Sequence, residues 1–265
     1  MAASRTKRPR PRIDPDATPR AAFVLDESYE PTAGHWHTHR RAQLVHAAEG
    51  VVTVSTPEGR WIAPPQRAVW VPTGVSHSVA SRRPFRLLTL YVKPDAAPPF
   101  DTCRVVAVDR LVEELLGAAA AFGTEYPPDG PEARLVQVIL DRLPALAVAP
   151  LLHLPDPKSP ALLRITTALA KNPADRRTLE TWAKSVGMTE RTAARRFVAE
   201  TGGTFGRWRQ QLRLLVALER LARGDSVTAT AFDVGYDDVS SFIEAFKGAM
   251  GVTPARYFDG HARTR

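Results

Sequence analysis

The chain has 265 residues, 44% of them hydrophobic, which is long enough for two domains that each bury a core. Its 36 Lys and Arg exceed its 28 Asp and Glu by 8, and this positive balance favours a polyanionic partner such as nucleic acid. We expect no membrane span or signal peptide, because no long apolar run occurs, and the single Cys103 excludes an internal disulfide framework and fits a reducing cytoplasm.

The first hundred residues predict a short tail followed by β-structure. Residues 1–20 are rich in Arg and Pro, which predicts a disordered basic tail. Between 21 and 105, short apolar runs alternate with Pro- and Gly-containing turn signals, a pattern typical of a sandwich or barrel. The runs lie at 22–25, 43–45, 51–54, 68–71 and 87–92.

From residue 109 the apolar spacing becomes helical, at 111–116 and at 132–140. We therefore predict one domain over 21–154, with a barrel at 21–105 and helices at 109–154, followed by a Pro-rich linker at 155–160. An apolar stripe within the second helix favours a homodimer contact, and packing on the chain's own barrel is the alternative. The stripe consists of Leu135, Val138, Ile139 and Leu143.

Residues 161–260 contain two helix-turn-helix patterns. In the first, Gly187 supplies the positive φ that ends one helix, and Thr189 is placed to cap the next. In the second, Gly235 ends a helix, and Asp237 or Asp238 can cap its successor. A short turn at Gly between two helices of this length is typical of DNA-binding proteins.

The segment between the two patterns predicts one long helix. About 19 residues rising 1.5 Å each span roughly 28 Å, which is of the order of one turn of DNA, ~34 Å. Such a helix can hold two recognition helices in successive major grooves. The basic charge belongs to the first unit, because 161–224 has 13 Lys and Arg against 5 Asp and Glu, whereas 225–265 has 4 against 6.

Over 161–258 the chain resembles the AraC/XylS family of transcription regulators. The matching residues, in the family's spacing, are Gly187, Met188, Thr189, Arg195, Phe197, Thr204, Phe205, Arg213, Leu214, Ala217, Val234, Gly235, Tyr236, Phe242, Phe246, Gly251, Pro254, Arg256 and Tyr257. Ala193 departs from the family's usual Leu, and Asp237 and Asp238 stand where small polar residues are commoner.

This resemblance implies an α+β protein of two domains. A cupin-like effector and dimerisation barrel with helices would precede an all-α DNA-binding domain at 161–260, whose two helix-turn-helix motifs are joined by a long helix. The implied partners are a double-stranded DNA operator, a small-molecule effector, RNA polymerase if the protein activates, and a second copy of the chain. The implied location is the bacterial cytoplasm.

The helical period also predicts which side chains contact DNA. If Ala193 and Phe197 face the core, a step of 100° per residue places Arg191 and Arg195 on the opposite side. Arginine bound through two hydrogen bonds to guanine is the commonest specific contact. The predicted contacts on the two recognition helices are Thr189, Glu190, Arg191, Thr192, Arg195, Arg196, Ser240, Ser241, Glu244 and Lys247.

Within the β-region, His37, His39, Gln43 and Gly50 resemble the first cupin motif, and 72–77, ending in His77, resembles the second. Strand alternation places residues 37 and 39 on one face. The resemblance implies that His37, His39, His77 and the Gln43 amide oxygen hold Zn²⁺, Fe²⁺, Ni²⁺ or Mn²⁺. Gln43 replaces the family's Glu, so the alternative is a metal-free pocket lined by histidines.

Three tryptophans, Trp36, Trp61 and Trp70, are predicted to line an aromatic effector pocket beside these histidines, and a place in the core is the alternative. Two classes of function then compete. One is a ligand-responsive regulator, and the other is a cupin metalloenzyme of the dioxygenase or isomerase type with a helical appendage. The second helix-turn-helix pattern favours the regulator, and the sequence shows no Ser-His-Asp arrangement, phosphate loop or paired carboxylates that would predict an enzyme.

Overall fold

A computed structural model describes residues 13–149 and 152–262, and in them a β-rich half precedes a helical half, as the sequence predicts. Two sheets face each other, one ordered β1-β7-β2-β5-β8 and the other β6-β3-β4-β9. The strands are β1 Ala22–Tyr29, β2 Ala42–Glu49, β3 Val52–Thr56, β4 Gly59–Ala63, β5 Arg67–Val71, β6 Ser78–Ala80, β7 Phe85–Val92, β8 Arg104–Ala107 and β9 His153–Pro155.

The five-stranded sheet is buried on both faces, which explains its continuous apolar runs. In β5, Val69 and Val71 point between the two sheets, whereas Trp70 points to the outer face. There Leu116 and Ile139 cover it, from helices α1 (Arg110–Ala120) and α2 (Pro131–Arg142). The predicted barrel followed by helices is therefore confirmed, and the structure adds that these helices cover the outer face of the sheet.

The apolar stripe on α2 packs mainly on this barrel. Ile139 and Leu143 are buried within the chain, and only Val138 is largely exposed, at 44%. The prediction that the stripe forms a dimer contact is wrong for Ile139 and Leu143, because the outer face of the sheet already buries them.

The linker predicted at 155–160 begins inside a strand rather than after it. Residue Pro155 ends β9, which pairs antiparallel with β4 at the sheet edge. Arg60 of β4 forms an ion pair with Asp156 at 2.9 Å, and the backbone N–H groups of Lys158 and Ser159 donate to Glu200. Residues 155–160 therefore contact both domains, the barrel through Asp156 and α5 through Lys158 and Ser159.

The predicted tail is corrected over 13–20, whereas 1–12 lie outside the described residues. Residues 15–17 form a 3₁₀ turn, and Asp16 accepts the backbone N–H of Arg40. The buried guanidinium of Arg41 donates to the carbonyls of Pro15, Thr18 and Ala21. Backbone carbonyls held by one buried cation keep this segment folded against the barrel.

The helical half contains α3 Pro160–Lys171, α4 Leu179–Ser185, α5 Glu190–Thr201, α6 Phe205–Ala222, α7 Val227–Asp233, α8 Val239–Met250 and α9 Pro254–Ala262. Helices α4 to α8 share one start signal, a side-chain oxygen that accepts the backbone N–H three residues on. The caps are Thr178, Thr189, Thr204, Ser226 and Asp238. Both predicted turn glycines, Gly187 and Gly235, have positive φ.

Helix α6 packs along the four-stranded sheet of the barrel. Its Trp208 indole donates to the carbonyl of Pro155 at 2.7 Å, Gln211 donates to the carbonyl of His153, and Glu219 accepts from Thr53 at 3.2 Å. One hydrophobic core runs from the barrel interior into the helices. Among the described helices, none is long and apolar enough to cross a membrane.

Candidate functional site

Helix α5 presents an arginine-rich face to solvent. Ala193 and Phe197 are fully buried, and the Phe197 ring packs edge-on against Phe205 and Trp208. The side of α5 opposite Ala193 and Phe197 faces solvent and can contact a partner. The predicted contacts Glu190, Arg191, Arg195 and Arg196 are exposed there, and Thr192 is half-buried.

Thr189, also a predicted contact, has a structural role in addition. Its hydroxyl oxygen accepts the backbone N–H of Thr192 at 3.2 Å and caps α5. Its side chain stays exposed at the start of the recognition helix.

Helix α8 has the same geometry with a different charge. Phe242 and Phe246 are fully buried. The predicted contacts on the opposite side are all exposed, and they are Ser240, Ser241, Glu244 and Lys247.

Asp238 is the residue that caps α8. It accepts both the backbone N–H and the hydroxyl of Ser241, at 2.8 and 2.7 Å, and these bonds lower the pKa of the Asp238 carboxyl. The neighbouring Asp237 forms an ion pair with Arg176 instead. The second recognition helix therefore starts with two carboxylates, each already engaged.

At one end of the barrel the structure brings three histidines together. The ring centroids of His37 and His77 lie 4.3 Å apart, and those of His39 and His77 lie 5.1 Å apart. One nitrogen from each ring falls within 4.8 Å of the other two. His37 is exposed, whereas His39 and His77 are buried, so the cluster lies beneath the surface with one side open.

Backbone carbonyls fix the orientation of all three rings. The Nδ1 atoms of His37, His39 and His77 lie 2.9, 2.7 and 2.8 Å from the carbonyls of His35, Arg41 and Val75. A neutral imidazole that donates from Nδ1 leaves the Nε2 lone pair free, which is the arrangement that outer-shell carbonyls impose on metal-binding histidines.

The two buried rings of the cluster are uncharged, which favours the binding of a cation. Burial lowers the pKa of His39 and lowers that of His77 to about 4, so both rings are neutral near pH 7. His77 Nε2 is buried without a hydrogen-bond partner, and His39 Nε2 faces Gln43 Oε1 at 3.3 Å. Unprotonated imidazole nitrogens are ligands that divalent ions accept, and one nitrogen from each ring lies within 4.8 Å of the others, so the residues fit a metal ion.

Two family descriptions match the two halves of the chain. "AraC-like ligand binding domain" matches residues 21–128, and "Helix-turn-helix domain" matches residues 182–260. The HTH-type transcriptional regulator NimR from Escherichia coli K12 is 36% identical over 236 residues, which is 89% of this chain and 86% of NimR. The chain belongs to the AraC family of transcription regulators.

Two further proteins resemble this AraC-family regulator, RipA over part of its length and ToxT over most of its length. The regulator RipA from Corynebacterium glutamicum is 33% identical over 153 residues, 57% of this chain and 42% of RipA. Fatty-acid-bound ToxT from Vibrio cholerae matches 91% of this chain and 95% of its own at 11% identity, with a TM-score of 0.38. Because these curated relatives are named as transcription regulators, the enzyme alternative is set aside.

In this AraC-family regulator the three tryptophans do not share a pocket. Trp36 is 58% exposed, Trp61 packs in the barrel core and stacks on His153 at 3.6 Å, and Trp70 lies beneath the covering helices. The prediction of one Trp-lined pocket is wrong, because Trp61 on β4 packs between the sheets, whereas Trp70 on β5 points to the outer face of the other sheet.

The sequence predicts no site role for Arg176 or Arg213, yet the structure places both between the two helix-turn-helix units. Arg213 donates from Nε to the carbonyl of Pro173 at 3.1 Å, and its guanidinium lies 5.9 Å from the centroid of the Tyr236 ring. It therefore joins the segment before α4 to the turn before α8. The sequence shows a basic run at 176–177, but only the fold brings it beside Asp237.

Proposed function

We propose that this regulator binds a specific operator in double-stranded DNA through α5 and α8, and that its barrel senses a small molecule that changes this binding. The observation that carries the proposal is the pair of recognition helices with exposed polar faces, joined by the 18-residue helix α6. At about 1.5 Å per residue α6 spans roughly 27 Å, close to the spacing of successive major grooves.

Helix α5 is proposed to supply base recognition. Arg191 and Arg195 are one helical turn apart on its exposed face, so both can enter one groove. We expect Arg195→Ala to weaken binding to a selected operator by ~1–3 kcal/mol and to relax base preference at one position. Arg134→Ala, an exposed arginine on α2, is the matched control.

The measurement is fluorescence anisotropy on the operator and on a scrambled duplex. An equal loss on both duplexes would show that Arg195 contacts only phosphate, and no operator enrichment with the unmodified protein would overturn the proposed function itself.

Helix α8 is proposed to contribute less affinity. Its exposed face carries Glu244 beside Lys247, and carboxylates stand at its start. These charges oppose phosphate, which otherwise favours a helix N-terminus. A loss on Glu244→Ala as large as that on Arg191→Ala would contradict this asymmetry.

The sensing half is proposed to hold a divalent metal ion, one of Zn²⁺, Fe²⁺, Ni²⁺ or Mn²⁺, through His37, His39, His77 and Gln43. A metal held by these residues would act as a Lewis acid and would bind an oxygen or nitrogen of the effector. Elemental analysis of the purified protein is the test. We expect metal that is lost in His77→Ala and on acidification, because protons compete for imidazole. A full equivalent that survives His77→Ala would place the metal elsewhere.

We further propose a homodimer in the cytoplasm, with RNA polymerase as a partner if the regulator activates. Each chain already carries two recognition helices, so a dimer would add avidity rather than create the DNA site. Sedimentation equilibrium with and without operator tests the oligomeric state.

A further inference from the structure

The two helix-turn-helix units touch each other directly, apart from their connection through α6. We call this contact the inter-unit junction, and it consists of residues 173–177 against residues 234–238. A Cβ built on Gly235 would lie 2.8 Å from Ala174 Cα and 2.7 Å from an Arg213 guanidinium nitrogen. The backbones are therefore in close contact, and Arg213 fastens them through the carbonyl of Pro173.

An ion pair between Arg176 and Asp237 stands at the outer edge of the inter-unit junction. Their side chains are 69% and 77% exposed. Because Asp238 supplies the cap of α8, the Asp237 carboxylate is left for Arg176. An ion pair this exposed contributes little to folding stability, so its position suggests a different role.

The pair lies at the entrance of the second recognition helix. The first residues of a recognition helix are those that come closest to the bases and to the flanking phosphates. A guanidinium at this position attracts phosphate, and a carboxylate repels it. The Arg176–Asp237 ion pair therefore exerts little net attraction on phosphate. Arg209 and Arg213 add positive charge nearby. Asp175 already pairs with Arg177 and Asp238 caps α8, so Asp237 is the carboxylate that neutralises Arg176.

We propose that Asp237 sets the DNA affinity of the regulator by holding Arg176 in a salt bridge and away from the phosphate backbone. Phosphate contacts strengthen binding to every sequence alike, whereas base contacts discriminate. Asp237 therefore keeps non-specific binding weak, so that the contacts of α5 decide where the protein stays. This inference rests on the proposed DNA-binding function and adds an affinity-limiting residue to it.

The test is Asp237→Asn in the full chain, measured by anisotropy on a labelled duplex of arbitrary sequence over a series of KCl concentrations. We expect binding about three- to tenfold tighter at low salt and a log–log salt slope steeper by about 0.9, the value for one added phosphate contact. Asp129→Asn removes the same charge from an exposed site between α1 and α2 and is the matched control. It is expected to leave the slope unchanged.

A double-mutant cycle with Arg176→Ala assigns the gain to Arg176. Most of the gain should disappear when Asp237→Asn is made in the Arg176→Ala background. An equal gain in both backgrounds, or an Asp237→Asn protein that binds like Asp129→Asn or more weakly, would overturn the inference.

These results are distinguishable from failure of the proposed function. If the unmodified protein binds no duplex, the proposed function fails. If it binds an operator and Asp237→Asn changes nothing, only the role of Asp237 fails. Thermal unfolding of each variant checks that the helical half remains folded.

Discussion

His153 connects the last strand of the barrel to the DNA-binding half. Its ring stacks on Trp61 inside the barrel, and its backbone carbonyl accepts from Gln211 of α6. Burial lowers the pKa of His153 below its ordinary 6.5. The unfolded chain therefore binds a proton at a higher pH than the folded chain does, so this residue's contribution to stability is present above about pH 6.5 and is lost as the pH falls below it.

We expect His153→Phe, which keeps an aromatic ring against Trp61, to remove this contribution. The free energy of unfolding of the unmodified protein should fall faster than that of the variant as the pH drops from 7 towards the lowered pKa. Urea titrations at several pH values, with a chelator so that the histidine cluster holds no metal in either protein, measure the difference. Parallel pH profiles would contradict the prediction.

The two turn glycines both end a helix, but their surroundings differ. Gly187 and Gly235 end α4 and α7 with φ of 74° and 95°. Nothing lies within 4 Å of a Cβ on Gly187, whereas a Cβ on Gly235 meets the backbone of Ala174. The inter-unit junction therefore constrains the second turn and not the first.

Gly187→Ala should cost only the strain of left-handed backbone, roughly 1–2 kcal/mol. Gly235→Ala should cost that strain and an overpacking penalty, together about 2–5 kcal/mol. Chemical denaturation of the two variants side by side measures both values. Equal losses of stability would indicate that the inter-unit junction accommodates the added methyl group without an overpacking penalty.

The sequence predicted the structural features that depend on residues close together in the chain. The cap Thr189, the turn glycines Gly187 and Gly235 and the apolar strands follow from residues a few positions apart, and Asp238 proved to be the cap of the two candidates for α8. Strand β9 was missed because its pairing with β4 joins residues about a hundred positions apart, and three residues carry too weak a pattern. The histidine cluster was predicted as a set through its resemblance to the cupin motifs, whereas the Arg176–Asp237 contact depends on packing that no local pattern encodes.

The continuous core predicts that the two halves of the molecule unfold together. Trp208, Gln211 and Glu219 of α6 each bond to the barrel or to the end of β9. We expect one transition, with coincident far-ultraviolet circular dichroism and tryptophan fluorescence. Gln211→Ala should lower its midpoint through a loss of about 0.5–1.5 kcal/mol. Two separated transitions in the unmodified protein would show that the domains are independent.

The proposed function requires that one chain place two recognition helices on one face of a duplex. Selection of bound sequences from a random duplex pool, followed by hydroxyl-radical footprinting of the enriched site, tests it most directly. We expect two protected regions about 10 base pairs apart on one DNA face, and we expect Arg195→Ala to weaken protection of the region contacted by α5. Failure to enrich any sequence, or a single protected groove that Arg195→Ala leaves unchanged, would contradict it.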